Sequence, residues 1–480
     1  MHTLLYLLPE IWVSLLAFFL LLLDLQWKPE QHPRIGLIAA LGLTPVIPIL
    51  IAQSRLGTLE LLSGMYRIDP IALIFKGIFV ITAIAVILMT RESTAGQAGA
   101  AIERGQGEFY LLILAATLGM LFTASAADFL MLFVSLELIT ISFYVMTAYL
   151  KTNLRSLEAG VKYLILGSIA SACLLYGIAF VYGSTGSIRF TEVRAFLQQT
   201  PYAAGCLFGL FLILAGILFK TAGVPFQLWV PDVYEGAPTP VTAFLSVGSK
   251  SAGFLVAIRV FHELFLPSNT EWSPLIAWLA GATILYGNLG AISQRNVKRL
   301  LGYSSIGHAG YLLIGLAAPT RLGTAAVIFY LAGYLVTNLA AFLVVTTVSA
   351  HTHSDEITDY AGLARRSPFL AMMLFVSLLS LAGVPPLAGF IGKFLLLLSA
   401  LSEGYFWLAM IGAAAVVISL YYYLSLVAVM YTQPAADNSP IPVSFPVKLA
   451  MIACLLGMLG IGIWQEPFLN ASFAAVKNLF

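Results

Sequence analysis

Residues 218–250 read LFKTAGVPFQLWVPDVYEGAPTPVTAFLSVGSK, with apolar runs on either side. Lys220 and Lys250 stand inside segments that otherwise have the composition of membrane spans, and Pro225, Pro231, Pro238 and Pro240 lie between them. A lysine at the bilayer centre costs about 2.5–3.5 kcal/mol on insertion scales and is normally retained for a pathway. Pro225 removes a backbone donor and breaks or kinks a helix just beyond Lys220. Broken backbone at membrane depth is tolerated only where protein or a water-filled cavity surrounds it. The stretch predicts a helical membrane protein with a charged, interrupted interior, the pattern of an ion-translocating chain.

Outward from this stretch the composition agrees. Of 480 residues, 60% are hydrophobic and 10% charged, against about 25% charged in a soluble domain. Mean hydropathy is +0.94. Apolar segments of about 20 residues recur from end to end. They predict an all-α polytopic protein with fourteen spans, at 3–23, 35–53, 70–90, 109–124, 128–149, 159–182, 204–229, 237–262, 273–293, 301–318, 322–349, 368–402, 406–431 and 446–465. The seventh and twelfth exceed one straight crossing, and each carries a breaker, Pro225 or Pro385-Pro386. Ala-Gly-Val-Pro occurs at 222–225 and again at 382–385, five spans later. An odd shift inverts orientation, as in transporters whose broken helices face each other near the midplane. A strict repeat would not superpose the lysines, since Lys220 precedes its proline and Lys393 follows Pro385.

Several function classes find no support. Net charge is +2 and the 24 basic residues are scattered, which gives no nucleic-acid footprint. Cys173, Cys206 and Cys454 lie singly in apolar segments, without the spacing of a metal or redox site. No P-loop, GxGxxG or nucleophile elbow is present. Met1-His2-Thr3-Leu4 lacks a basic n-region, so the N-terminus is read as the first span.

Basic residues predict the orientation. Loops 1–2, 3–4, 5–6, 9–10, 11–12 and 13–14 hold twelve, among them Lys28, Arg104, Arg295, Lys298 and Arg299, and the opposite side holds six. The richer side is read as cytoplasmic, which puts both termini outside.

Of 22 acidic residues, Glu137 is the one read as deep within a span, about 14 Å into a 30 Å core at 1.5 Å per residue. Lys250 is similarly central. A carboxylate with several buried ammonium groups suggests a switchable proton site, because pairing and desolvation push each group in opposite directions. Lys220, Lys250 and Lys393 are too deep to reach a headgroup, whereas Lys76 and Lys162, near span ends, read equally as snorkelling residues. His308, in GYSSIGHAGYLL, could relay protons or be satisfied by Ser304 or Ser305. His351 and His353 beside Asp355 and Glu356 read as a solvated loop. Tyr421-Tyr422-Tyr423 and Trp229 read as packing and interfacial residues.

The segments SLEAGVKYLILGS (156–168), FKTAGVPFQLWVPDVYEGAPTPVTAFLSVGSK (219–250), NVKRLLGYSSIGHAGYLL (296–313) and SLAGVPPLAGFIGKF (380–394) closely resemble one family. It is the antiporter-like membrane subunits of proton-pumping NADH:quinone oxidoreductase, respiratory complex I, and within them the subunit N branch. The resemblance implies two inverted five-helix repeats, 108–264 and 265–432, flanked by helices 1–3 (1–107) and helix 14 (433–480). It implies that Glu137 pairs with Lys220, that Lys250 continues a hydrophilic axis, and that Lys393 lies near the outer exit. Lys162 and His308 match a sixth-helix lysine and a tenth-helix histidine. Gln227 stands where the family pattern has histidine, outside the proposed axis. No cofactor is implied in this chain; NAD, FMN, iron–sulfur clusters and quinone belong to partner subunits. The implied surroundings are a bacterial inner membrane, its lipids, protons as cargo, and neighbouring membrane-arm subunits. A ferredoxin-fed photosynthetic-type complex and a multisubunit Na+/H+ antiporter remain the alternatives. Unwound backbone at Pro385-Pro386 is further expected to give Lys393 a hydrated path outward, against a static kink with Lys393 reaching the headgroups.

Overall fold

A computed structural model describes residues 5–27, 33–55, 57–93, 106–435, 437, 439–477 and 479. Lys28 and Arg104, which entered the basic asymmetry, lie outside the described residues, as do Met1 and Phe480. Thirteen helices among the described residues are long and apolar enough to cross a membrane. They are α1 (Leu8–Gln26), α2 (Arg34–Gln53), α3 (Pro70–Ser93), α4 (Gly107–Ser125), α5 (Phe129–Thr147), α6 (Leu154–Thr185) and α7 (Ala204–Thr221). After them come α8 (Thr239–Leu264), α9 (Leu266–Ile292), α10 (Val297–Ala317), α11 (Arg321–Thr352), α13 (Phe406–Thr432) and α14 (Phe445–Ile463). The remaining predicted span, α12, is a pair of shorter apolar helices, Pro368–Ala382 and Ala388–Ser402.

Burial sorts these helices. α8 is enclosed along its whole length and α10 and α11 nearly so, whereas α1, α6, α13 and α14 keep much of their surface outside. The outer helices present Phe18, Ile165, Val417 and Leu456, as expected where lipid or another apolar subunit is the solvent. The enclosed helices carry the polar residues instead: Ser246 and Lys250 on α8, Ser304, Ser305 and His308 on α10, Tyr334 and Asn338 on α11.

Both broken helices end in the same way. α7 stops at Thr221; Ala222 turns left-handed at φ 66°, and the Gly223 amide donates back to the Leu218 carbonyl at 2.8 Å. The first half of α12 stops at Ala382; Gly383 turns left-handed at φ 90°, and the Val384 amide donates to the Leu379 carbonyl at 3.0 Å. Each closure satisfies carbonyls that a following proline would otherwise strand. The shared Ala-Gly-Val-Pro string is thus used one residue out of register, turning at its first residue in one copy and its second in the other. Span 7, predicted to run to residue 229, is corrected to end at Thr221, and a short helix Trp229–Gly236 follows the break.

Some elements were not foreseen. A hairpin pairs β1 (Leu59–Leu61) with β2 (Tyr66–Ile68) in the loop before α3. An amphipathic helix, Phe190–Gln199, lies between α6 and α7 with Phe190, Val193 and Leu197 buried. A helix at Gln465–Ala475 follows α14. Within α8, Leu245–Ser249 and Ile258–Leu264 are π-helical, a widened turn often found at functional sites.

Candidate functional site

The central network is built on α10. Ser304, His308 and Tyr311 are spaced by four and three residues, so they share one face of that helix, with Ser305 beside them. The neighbouring helices reach them from several directions. Lys250 of α8 donates to the Ser305 carbonyl at 2.5 Å and to its hydroxyl. Tyr334 of α11 donates to the same hydroxyl at 3.2 Å, and its ring lies 5.6 Å from the Lys250 ammonium. His308 Nδ1 is 2.5 Å from the Tyr330 hydroxyl and Nε2 is 3.2 Å from the Tyr423 hydroxyl. Tyr423 in turn bonds Ser304. His308 is in electrostatic range of both Lys250 and Lys393.

Lys393 closes the second break. It sits on the second half of α12, is buried, and donates to the carbonyl of Ala382, the last residue of the first half, at 3.1 Å. An ammonium at a helix C-terminus meets the negative end of its dipole. The Tyr311 ring covers the ammonium at 4.7 Å, and the Tyr311 hydroxyl donates to the Gly412 carbonyl at 2.6 Å. Lys393 therefore does not reach the headgroups, and the snorkelling reading is excluded for it.

Glu137 and Lys220 are neighbours but not an ion pair. Lys220 donates to the Thr140 hydroxyl, one turn along α5 from Glu137, and Glu137 accepts from Ser171 at 2.5 Å. Among the described residues no salt bridge joins the two charges and each is held by its own hydroxyl, while Glu137 remains in electrostatic range of Lys220. Both line a cavity of about 10 Å³ together with Thr140, Ser171 and Gly253, room for about one water.

Lys162 belongs to a different network. It is 41% exposed and pairs with Glu158 and Asp232, each at 2.6 Å. Arg299 meets Asp232 at 2.7 Å and Glu235 at 3.0 Å, tying α6 and α10 to the short helix after the first break. Burial pushes the Asp232 carboxyl up, but hydrogen bonds from Lys162 and Arg299 outweigh it and hold the group below the usual carboxylate range. Exposed pairs contribute about 0–1 kcal/mol. Lys162→Ala is expected to leave assembly and proton pumping near normal, measured in reconstituted complex; abolished pumping would return Lys162 to the axis.

The structure adds charges that sequence reasoning missed. Glu10 is buried and pairs with Lys76 at 2.6 Å, so Glu137 is not the sole acid deep within the chain and Lys76 does not snorkel. Glu10 looked shallow because it stands near the start of α1. Arg259 is buried with Asp69 at 2.6 Å and Glu263 at 3.2 Å, and Arg67 meets Glu263 at 2.6 Å. His308 is satisfied by Tyr330 and Tyr423, not by Ser304 or Ser305 directly. Within the tyrosine run only Tyr421 is exposed; Tyr422 is buried with its hydroxyl on Asn288 at 3.3 Å. Trp229, read as a packing or interfacial residue, is buried in the core and donates to the Phe219 carbonyl at 3.1 Å. Gln227 is also buried, with Oε1 unbonded to described protein atoms. His351 and His353 are exposed. Among the described residues no group of three His, Cys, Asp or Glu side chains is arranged to hold a metal.

Comparison with known proteins agrees with this arrangement. Residues 126–419 match the family described as NADH:quinone oxidoreductase/Mrp antiporter, transmembrane region. NADH-quinone oxidoreductase subunit N of Heliobacterium modesticaldum is 41% identical over 473 residues, 98% of each chain. NAD(P)H-quinone oxidoreductase subunit 2 of a Synechococcus species is 41% identical over 482 residues, 98% of this chain and 90% of that one. A chain of respiratory complex I from Thermus thermophilus, solved with bound aureothin, superposes with TM-score 0.82 at 30% identity, covering 97% of this chain and all of that one. The match over 126–419 and the likeness from end to end, on a chain with lysines beside two broken helices, place this protein in the NADH:quinone oxidoreductase/Mrp antiporter transmembrane family, among the relatives named NADH-quinone oxidoreductase subunit N.

Proposed function

We propose that the chain translocates protons as a membrane subunit of an NADH:quinone oxidoreductase in a bacterial inner membrane. Electron transfer from NADH through FMN and iron–sulfur clusters to quinone takes place in partner subunits, and neighbouring membrane-arm subunits pass the released energy on. The observation that carries the reading is the run of buried groups Lys250, Ser305, Ser304, Tyr423 and His308, with Lys393 in electrostatic range of His308 and Lys220 beside Glu137 in a separate cavity. Each hydroxyl in it can both accept and donate a proton, and each amine can hold one. Glu137 acts by raising the affinity of Lys220 for a proton when it approaches and lowering it when it withdraws. The segments 108–264 and 265–432 would be inverted repeats contributing one broken helix each, flanked by 1–107 and 433–480, with both termini on the outer side.

Purified complex in proteoliposomes tests this with Glu137→Gln and Lys220→Ala. Losing a hydrogen bond to a charged group costs about 1.5–3 kcal/mol, or roughly 10–100-fold in an equilibrium. Proton pumping is expected to fall by that order in both variants with assembly intact. Unchanged pumping in both would rule the reading out. The ferredoxin-fed alternative differs in its electron donor rather than in this chain, and a donor assay on the complex separates the two. Na+ dependence of transport would mark the antiporter alternative.

A further inference from the structure

α4 and α5 touch where Gly119 lies against Ser135 and Ile139, so closely that a methyl group at residue 119 would come within 2.9 Å of the Ser135 carbonyl oxygen. Toward the end of the pair that carries loop 5–6, on the side read as cytoplasmic, a groove of about 590 Å³ opens between the two helices. Leu111 and Leu112 of α4 and Val145 of α5 line it, and Ala115 and Ala148 leave the room that larger side chains would fill. Glu108, Leu111, Leu112 and Ala115 fall on one face of α4, since residues three and four apart lie above one another on a helix. Val145 is exposed and the other apolar lining residues are half-buried, so the groove is open on its outer side.

The rim of the groove is charged and its interior is not. Glu108 is the second residue of α4, Lys151 follows the end of α5 by four residues, and both are exposed. Ala115 lies eight residues into α4, about 12 Å below that rim at 1.5 Å per residue. Neither Glu108 nor Lys151 has an ion-pair partner among the described residues, whereas Arg155, Lys162 and Arg299 at the same end are all paired. A second carboxylate backs the first: Asp24 of α1 packs against Gly107, and both acids lie in electrostatic range of the Tyr149 hydroxyl. The Tyr149 ring stands edge-on to Phe109 with centres 4.8 Å apart, just past the end of α5, where tyrosine marks a bilayer interface.

We infer that this groove is a binding site for one zwitterionic phospholipid with a primary ammonium head, of the phosphatidylethanolamine class. The lipid phosphate meets Lys151, the ammonium meets Glu108 with Asp24 behind it, and the acyl chains run down past Leu112 and Val145. Opposite charges on one rim, each without a partner in the chain, match a head that carries both signs. Two carboxylates against one lysine disfavour a head of net negative charge. A primary ammonium donates up to three charge-assisted hydrogen bonds, which a trimethylated head cannot. A helix from a neighbouring subunit fits less well. Spread over about 12 Å of depth, 590 Å³ leaves a section of about 50 Å², against about 80 Å² for a helix 10 Å across. The inference does not depend on the proton-translocation reading.

Intact complex exchanged into vesicles of equal parts phosphatidylethanolamine, phosphatidylcholine and phosphatidylglycerol, each of distinct mass, tests the inference. Native mass spectrometry of the subunit released from that complex counts the lipids it keeps. The parent is expected to keep one phosphatidylethanolamine more than Ala115→Phe, whose ring fills the groove, and to prefer it over phosphatidylcholine about tenfold. Glu108→Gln is expected to erase that preference while a lipid is still kept, and Lys151→Gln to lower retention of all three. The two rim variants replace exposed side chains, so they carry the test if Ala115→Phe fails to assemble. Equal lipid counts in the parent and an assembled Ala115→Phe would overturn the inference, as would an unchanged preference in Glu108→Gln. A parent that prefers phosphatidylglycerol would overturn it in favour of an anionic lipid. Cross-linking of a cysteine at 112 to a neighbouring subunit in high yield would overturn it in favour of protein.

Discussion

Lys393→Ala abolishes proton pumping by the assembled complex, by about tenfold or more, and leaves electron transfer slowed or uncoupled. Lys393 has no route to a headgroup that would let a substitution pass unnoticed: it is 3% exposed and its ammonium rests on the Ala382 carbonyl. A hydrogen bond to a charged group contributes about 1.5–3 kcal/mol, and the Tyr311 face adds about 2 kcal/mol where water is excluded. Both interactions weaken when the amine loses its proton, since a neutral amine donates a weaker hydrogen bond and has no cation–π attraction, so the second break senses the charge of this lysine. Alanine removes both the proton carrier and the sensor. Acidification of proteoliposomes, followed beside NADH oxidation, measures the two outputs together. Near-normal pumping in Lys393→Ala, with failed assembly in Pro385→Ala, would instead make the break a static kink.

Lys76→Ala is expected to deplete the subunit from assembled complex and to lower its thermal midpoint in detergent. Glu10 and Lys76 are enclosed, with side chains 2% and 0% exposed and 2.6 Å apart. Tyr66 stands between them, accepting from Lys76 at 2.8 Å and donating to Glu10 at 3.0 Å. Burial and the adjoining Glu10 carboxylate push the Tyr66 hydroxyl above its ordinary range, so it stays a donor at any physiological pH. Deleting the lysine strands a carboxylate in an apolar interior at a cost of about 3–5 kcal/mol, a large part of a total stability of about 5–15 kcal/mol. The double variant Glu10→Gln, Lys76→Met leaves no charge behind and is expected to recover most of the loss. Equal depletion in the double variant would show that shape, not charge, is what the site requires.

What could be read from the sequence follows what local rules control. The spans were legible because lipid demands about 20 apolar residues for a crossing. The breaks were legible because Pro225, Pro385 and Pro386 cannot donate within a helix. Lys250 and Lys393 were legible as buried, and Lys220 as held within the protein, because nothing at their depth except protein or trapped water accepts an ammonium. Their partners were not, because each partner depends on how distant helices meet: Ser305 lies 55 residues from Lys250, and Thr140 lies 80 from Lys220. Tyr423 was hidden for a different reason. Tyrosine is amphipathic, and the same side chain serves an interfacial belt or a buried relay according to the way its helix faces. The hairpin at 59–68 escaped notice because strands of three residues have no periodicity to read.

The π turns of α8 bear on how relatives of this chain should be compared. Each widened turn takes up about one residue more than an α turn would, and one residue is about 100° of rotation at 3.6 residues per turn. The helix crosses the membrane as three phased sections: one carrying Thr239 and Thr242, one carrying Lys250, one carrying Arg259 and Glu263. Length and facing direction are therefore set independently. A relative with one residue fewer between 245 and 249 would still span the bilayer, yet its lysine would be aimed elsewhere. Single-residue gaps within α8 are changes of aim rather than damage, and pairing residues across such a gap by count would match the wrong faces.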